Sequence, residues 1–413
     1  MTEQEFEQLL GKYADVVVHI GLNLRKGQRL LIRGILEDAP LIRKVTESAY
    51  KAGALLVDVA YSDERLTRIR FEHASPETLT EVPNWVLTRF EEYYERMDAE
   101  LAIASTDPEL LAGISPDLIT ANRKALMQKL EPIRSKYENS SNWCVVATAS
   151  PAWAAKVFPN LSTSEAQEKL WQEIFATCRI DTPDPVAAWT EHTQHLKKYR
   201  NYLNEQRFTA LHYTAPGTDL TIGLPEKQLW QGAEAEFKNG ITGIPNLPTE
   251  EVFTTPHKDR VDGTVKATMP LNYSGVMIED FNLTFENGQV VNISAQKGEE
   301  TLRKMVEMDE NAGRLGEVAL VPNSSPIGQR GILFYNSLFD ENAACHIALG
   351  NSYRETIVGG EEMTDEEFAA QGGNKSLVHT DFMIGSSSLD IDGVKSDGTR
   401  EPVMRAGEWA IRL

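Results

Sequence analysis

His379-Thr380-Asp381 lies between Leu377-Val378 and Phe382-Met383-Ile384, an imidazole and a carboxylate two residues apart in an otherwise apolar run. On an extended strand, residues i and i+2 face the same side, so both groups project together from a segment suited to burial. Burying such a pair is costly unless something compensates its charge. An ion pair between the two would do so, and so would a divalent metal. Further ligand types follow the same style of placement. Asn246 to Pro256 brackets Glu250 and Glu251 with prolines, and adjacent strand residues face opposite ways, so only one of the two can enter a given site. Glu317 heads the apolar run Val318-Ala319-Leu320-Val321, and His346 sits within Ala343 to Gly350. Taken singly, a glutamate opening a strand is usually solvated, a histidine in an apolar run is usually a satisfied core residue, and Cys345 is a small buried one. Together, three carboxylates and two imidazoles suit Zn, Co or Mn. Five ligands exceed what one tetrahedral site with an open position needs, which points to two ions.

Two kinds of architecture must position these residues. In the first half, Phe6, Leu9, Leu10, Tyr13 and Val17 recur at helical spacing. Short apolar strands are predicted at 29–33, 54–59, 101–104 and 143–147, with a helix over about 39–52. Strands separated by helices imply a mostly parallel, helix-covered sheet. No GxGxxG and no GxxxxGK[ST] accompanies it, so this α/β domain, residues 1–185, is read as structural or substrate-shaping. Thr182-Pro183-Asp184-Pro185 marks the boundary and a polar helix follows over about 186–206. Beyond it, alternating segments such as Phe208 to Tyr213 predict strands. Asn287-Gly288 between Asn282 to Phe285 and Val290 to Ile293 predicts a hairpin. Asp262-Gly263, Asp392-Gly393 and Asp397-Gly398 repeat the turn signal, and a helix is predicted near 299–311. The C-terminal domain, residues 186–413, is therefore α+β, rich in antiparallel strands, and the one that carries the candidate metal site.

Bulk properties narrow the function. The 413 residues carry 41 basic against 61 acidic side chains, a formal charge of −20, with no long Lys/Arg run. Nucleic acid is not the expected partner, because a phosphate backbone needs basic patches. No apolar stretch reaches the length of a membrane span. The start, Met1 to Glu5, lacks a signal-peptide pattern, and Cys144, Cys178 and Cys345 form neither a disulfide framework nor a CxxC motif. The expected compartment is the cytoplasm.

HExxH and GxSxG are both absent, which sets aside zincins and serine hydrolases of the nucleophile-elbow kind. Gly385-Ser386-Ser387-Ser388 reads as a turn. The stretch Asn246 to Pro256, with Glu317, Ala344 to Gly350, Tyr353 and Val378 to Gly385, resembles the M29 metallopeptidases, the aminopeptidase T and aminopeptidase S group, along the whole chain. The resemblance implies that Glu251, Glu317, His346, His379 and Asp381 bind two divalent metals (Zn, Co, Mn or Mg) and that Tyr353 is a catalytic side chain. It further implies peptide substrates with a free N-terminus and a homodimer. The general base is Glu317 or Glu250 on this reading. The alternatives are a metal-dependent amidohydrolase or esterase acting on non-peptide substrates, and a metal-binding interaction protein without turnover.

Overall fold

The computed structural model describes residues 1–137, 139–273 and 276–411. The chain divides into two compact units, one of residues 1–191 and 234–248 and the other of residues 192–233 and 249–413.

The first unit is built on four parallel strands in the spatial order Leu56–Ser62, Arg29–Ile35, Ala99–Ile103, Trp143–Val146. Leu30, Leu31, Ile32, Leu101 and Val146 are fully or almost fully buried, as expected for a parallel sheet covered on its faces. The first helix, Glu3–Val16, is fixed at its start by a capping box between Thr2 and Glu5. Its Leu10, Tyr13, Ala14 and Val16 are buried. The second strand begins two residues later than predicted. Ala54 N–H still closes the preceding helix on Ala49 O, and Leu55 N–H then donates to Gln28 O to begin the ladder.

The sheet reverses its strand order between the Arg29–Ile35 and Ala99–Ile103 strands, the place where doubly wound folds bind ligands at the carboxyl ends of strands. Here a side chain fills it. The fully buried Asp38 carboxylate accepts hydrogen bonds from Ile35 N–H (2.7 Å), the Ser105 hydroxyl (2.6 Å) and the Thr148 hydroxyl. This buried carboxyl group, whose pKa burial raises, thus occupies the switch point with the protein's own side chain. It agrees with the missing glycine-rich motifs.

The second unit holds two antiparallel sheets. Along the larger one run Leu271–Tyr273, Val276–Glu286, Val261–Lys266, Thr218–Gly223, Ala210–Ala215, Asp390–Val394, Arg400–Arg405 and Glu408–Trp409, with Gln289–Lys297 also paired to Val276–Glu286. Asn287-Gly288 makes the predicted hairpin and Asp397-Gly398 the predicted turn. The other two signals are corrected: Asp262-Gly263 and Asp392-Gly393 lie inside strands. Gly263 has φ +121°, and a Cβ there would sit 2.1 Å from Asp219 O, so the glycine serves a close strand approach rather than a turn.

The smaller sheet has the order His379–Met383, His346–Gly350, Leu315–Leu320, Val252–Thr254, Gln231–Gly232. Val252, Val318, Leu320, Ile347, Leu349 and Phe382 point to one face and join the unit's main apolar core with residues of the larger sheet, such as Phe281 and Leu283. That packing fixes the register, because a one-residue slip would turn these side chains out and drive the charged face in. The observed architecture is thus a parallel α/β region in one unit and an antiparallel-rich region in the other.

Candidate metal centre

Register places the predicted ligands on the opposite face of the smaller sheet. Directly opposed residues of antiparallel strands share a face. Glu317 is opposite Ala348, which is opposite Asp381. Ala319 is opposite His346 and Phe253, and Gly350 is opposite His379. Alternation along each strand then puts Glu317, Ala319, His346, Ala348, His379 and Asp381 on one side, with Glu251 two residues before Phe253 on that same side. Ala319 and Ala348 occupy the middle of this face, so small side chains leave room between the ligand-type groups. Gly316 introduces a register shift just before Glu317, and a Cβ there would lie 2.2 Å from Asn351 O. Only glycine admits that approach, and the bulge aims the glutamate.

Ligand atoms of Glu251, Glu317 and His346 lie within 4.8 Å of one another, and so do those of Glu317, His379 and Asp381. Glu317 is common to both groups. His346 Nε2 is 3.2 Å from Glu251 Oε2, while His379 Nε2 is 3.3 Å from Glu317 Oε2 and 3.5 Å from Asp381 Oδ1. Each imidazole is oriented from behind by a backbone carbonyl: Nδ1 of His346 is 3.2 Å from Ala344 O, and Nδ1 of His379 is 2.8 Å from Asn351 O. An Nδ1–H donated to a carbonyl leaves Nε2 as the lone-pair nitrogen turned toward the carboxylates, the arrangement metal-ligating histidines use.

Glu251 Oε2 and Asp381 Oδ1 are buried with no hydrogen-bond donor. Anionic oxygens in that state are expensive unless a cation meets them. The same demand for positive charge appears in the titration of the histidines. Burial disfavours the His346 imidazolium, but its contact with Glu251 and the fields of Glu251, Asp381 and Glu317 outweigh that and push its pKa up to about 10. His379 behaves alike. Burial is outweighed by Asp381 and Glu317, to about 11. Burial also raises Glu317, helped by the neighbouring Asp381 and Glu251 charges. For Asp381, burial is outweighed by the two histidines and its pKa is lowered. The donor set therefore fits divalent cations, with oxygen and nitrogen atoms converging on a cation-deficient space.

Tyr353 stands at the rim. Its hydroxyl is 3.1 Å from His379 Nε2, and its ring meets Phe253 edge-on at 5.9 Å. The residue as a whole is 38% exposed, yet desolvation around its oxygen, then the Glu317 and Asp381 charges, hold the phenol protonated well above its usual range.

Glu250 points elsewhere, with its carboxylate 3.5 Å from His192 Nε2 and its N–H donated to Asn342 Oδ1 at 2.7 Å. A residue absent from the sequence reading joins the site instead. Glu341, in the short 3-10 turn Glu341–Ala343 that packs on the His379–Met383 strand, has its pKa raised well above the usual range by burial and by the charges of Glu251 and Asp381. No spacing rule marks it, because a single turn carries no periodicity. Asn342 beside it is fully buried, and its amide joins Glu250 N–H to Leu338 O (3.1 Å), tying the Glu251 segment to the Glu341 turn.

A family model described as thermophilic metalloprotease (M29) matches residues 6–409. The chain is 46% identical over 409 residues to "Aminopeptidase 2" of Geobacillus stearothermophilus, covering 99% of each sequence. It is 45% identical over 407 residues to "Aminopeptidase AmpS" of Bacillus subtilis (strain 168), covering 98% of this chain and 99% of that one. Among solved structures it is similar to "Wild-type AmpT from Thermus thermophilus", with a TM-score of 0.92 at 43% identity, covering 98% of this chain and 100% of the other.

Proposed function

The chain belongs to the thermophilic metalloprotease (M29) family and is a metallo-aminopeptidase, and from that premise we propose that Glu251, Glu317, His346, His379 and Asp381 hold two divalent ions that serve hydrolysis of the N-terminal peptide bond. The observation that carries this reading is the pair of ligand groups sharing Glu317, with the donorless Glu251 Oε2 and Asp381 Oδ1 inside them. Zn, Co, Mn and Mg all fit the donor types. Such ions would acidify a water and polarise the scissile carbonyl.

The remaining roles belong to side chains. Glu317, common to both groups, would help to hold both ions. Glu341 takes the proton of the attacking water, since burial and neighbouring charge raise its proton affinity. The protonated Tyr353 hydroxyl donates to the oxygen that gains charge as the carbonyl carbon becomes tetrahedral, and Glu341 passes the proton it took from water to the nitrogen as the C–N bond breaks. The surplus of carboxylates suits a substrate that arrives with a protonated α-amine. Peptides with a free N-terminus are accordingly the substrate class, rather than blocked amides or esters.

All three cysteines are buried and free, which agrees with a reducing cytoplasm. Among the described residues, no helix is long and apolar enough to cross a membrane. A homodimer is supported by the exposed Leu56 and Tyr61 of the sheet-edge strand and by Leu66 and Ile69 of the helix after it. Light scattering that returned the mass of one chain would remove that assignment.

The test of the site is metal content and turnover measured together. His346→Ala and His379→Ala should each lose bound metal and hydrolysis of leucine p-nitroanilide while keeping the wild-type circular dichroism spectrum. A folded variant with full metal and full turnover would overturn the ligand set. Equal hydrolysis of the N-acetylated anilide would overturn the aminopeptidase specificity.

A further inference from the structure

The strand that carries His379 and Asp381 is also the edge of its sheet. Ladder geometry fixes which way its main chain faces. Ile384 N–H donates to Cys345 O (2.9 Å) beyond the His346/Met383 pair, and Asn351 N–H donates to Val378 O (2.7 Å) beyond the Gly350/His379 pair. Both are therefore non-hydrogen-bonded pairs, whose own N–H and C=O groups point away from the partner strand. Alternation puts Ala348/Asp381 in the same class and leaves the inward bonds to Thr380 and Phe382. Met383 confirms the outward direction, since its carbonyl accepts from Thr268 N–H (2.8 Å) on the free side and so ends the open edge there. Among the described residues, the outward N–H and C=O of His379 and Asp381 have no main-chain partner.

Unpaired groups on a sheet edge are a template for one more strand. This template consists of the same two residues whose side chains face the cluster, and its entry is held rigid where Leu377 N–H and the Ser376 hydroxyl both donate to Asp309 Oδ2 at 2.8 Å. From that juxtaposition we propose that the peptide substrate, beyond its first residue, binds as an added strand on the His379–Asp381 edge. The recognised groups are then the amides every peptide possesses, and a substrate is gripped downstream of the cut without demand on its side chains. The proposal rests on the aminopeptidase reading of the site.

The metal-loaded full chain should be assayed on the pentapeptide Leu-Ala-Ala-Ala-Ala and on two analogues in which an ester oxygen replaces the N–H of the third or the fourth residue. Successive N–H groups of a strand face opposite edges. One analogue should show KM raised about tenfold, the scale of one hydrogen bond, with kcat kept, and the other should match the parent. Leucine p-nitroanilide, which has no downstream peptide, serves as the control for the chemistry itself. Two analogues that both match the parent, or that both weaken equally, would overturn the added strand while leaving the aminopeptidase reading standing. Failure to cleave either the parent peptide or the anilide would remove that reading, and this proposal with it.

Discussion

On the proposed reading, Tyr353 separates holding the metals from using them. Its hydroxyl reaches His379 Nε2 at 3.1 Å, but its phenol stays protonated, so it is built to donate and not to ligate as an anion. Tyr353→Phe keeps the ring that packs on Phe253 and removes only the donor. We expect unchanged metal stoichiometry with kcat lowered on the order of 10²–10³, the range for losing one preorganised oxyanion donor. Elemental analysis beside steady-state kinetics checks this, and an unaltered kcat would take Tyr353 out of the chemistry. Glu341→Gln is the complementary substitution. It is near-isosteric, removes the proposed proton acceptor, and should also lower kcat with metal retained. If metal were lost instead, Glu341 would be a ligand and not the base. Other residues of the site mark what sequence could and could not reveal. The His379–Asp381 spacing identified a same-face pair because strand alternation is rigid. Strand alternation alone left the Glu250/Glu251 choice open and only the family resemblance pointed to Glu251, because the physical choice depends on which neighbour shares a face with Ala319, and that requires the register.

At the scale of elements, the site depends on a turn that no periodicity announces. The helix Ser337–Asp340 and the turn Glu341–Ala343 bring Glu341 to the cluster, and Asn342 ties that turn to the Glu250 main chain. Asn342→Ala would leave a buried N–H and a buried carbonyl unmatched. It should cost about 1–3 kcal/mol of stability and weaken metal binding roughly 10–100-fold, as outer-layer partners of metal sites do. Denaturant melts and metal titration measure the two effects separately. Asp340, next in line, gathers the loop ahead of it: its carboxylate accepts from Phe334 N–H at 2.7 Å and Asn336 N–H at 3.0 Å. Burial nonetheless outweighs those bonds and raises its pKa to about 7. A carboxyl whose folded pKa exceeds its unfolded one favours folding fully below the unfolded value, near 3.8, and loses that contribution as pH rises through about 7. Wild type should therefore lose stability between about pH 4 and 7 relative to Asp340→Asn, in which no proton is released. Parallel pH dependence of the two proteins would show that Asp340 does not titrate there. Sheet elements were legible for the opposite reason. Alternating strands and the Asn287-Gly288 turn follow from local chemistry, whereas Gly263 resembled a turn residue and is instead required by its contact with Asp219 O.

For the whole molecule, the question is what the ions contribute to a fold that already has a core. The second unit buries a continuous apolar cluster, from Leu196 and Phe208 through Phe281 to Phe382 and Met404, on the face of the small sheet opposite the ligands. Folding therefore does not wait for metal, unlike small zinc modules that are unfolded without it. What metal-free protein retains is a buried set of carboxylates that repel one another, with two oxygens lacking any donor. A cation that binds only the folded chain stabilises it by about 2.7 kcal/mol at one hundred times its Kd. For a unit of this size, that corresponds to a rise of roughly 5–10 °C in Tm. Chelator-treated protein should thus be folded but melt lower, and stepwise addition of Zn or Mn should raise Tm until two equivalents are bound. His379→Ala should blunt the rise, because it removes a ligand from the group shared with Glu317 and Asp381. A Tm that ignored both chelator and added metal would mean the cluster is balanced by protonated histidines alone, and the two-ion centre would have to be given up. The −20 charge of the chain does not decide this outcome, since exposed charges are screened within about 10 Å at 0.1 M salt while the buried carboxylates are not.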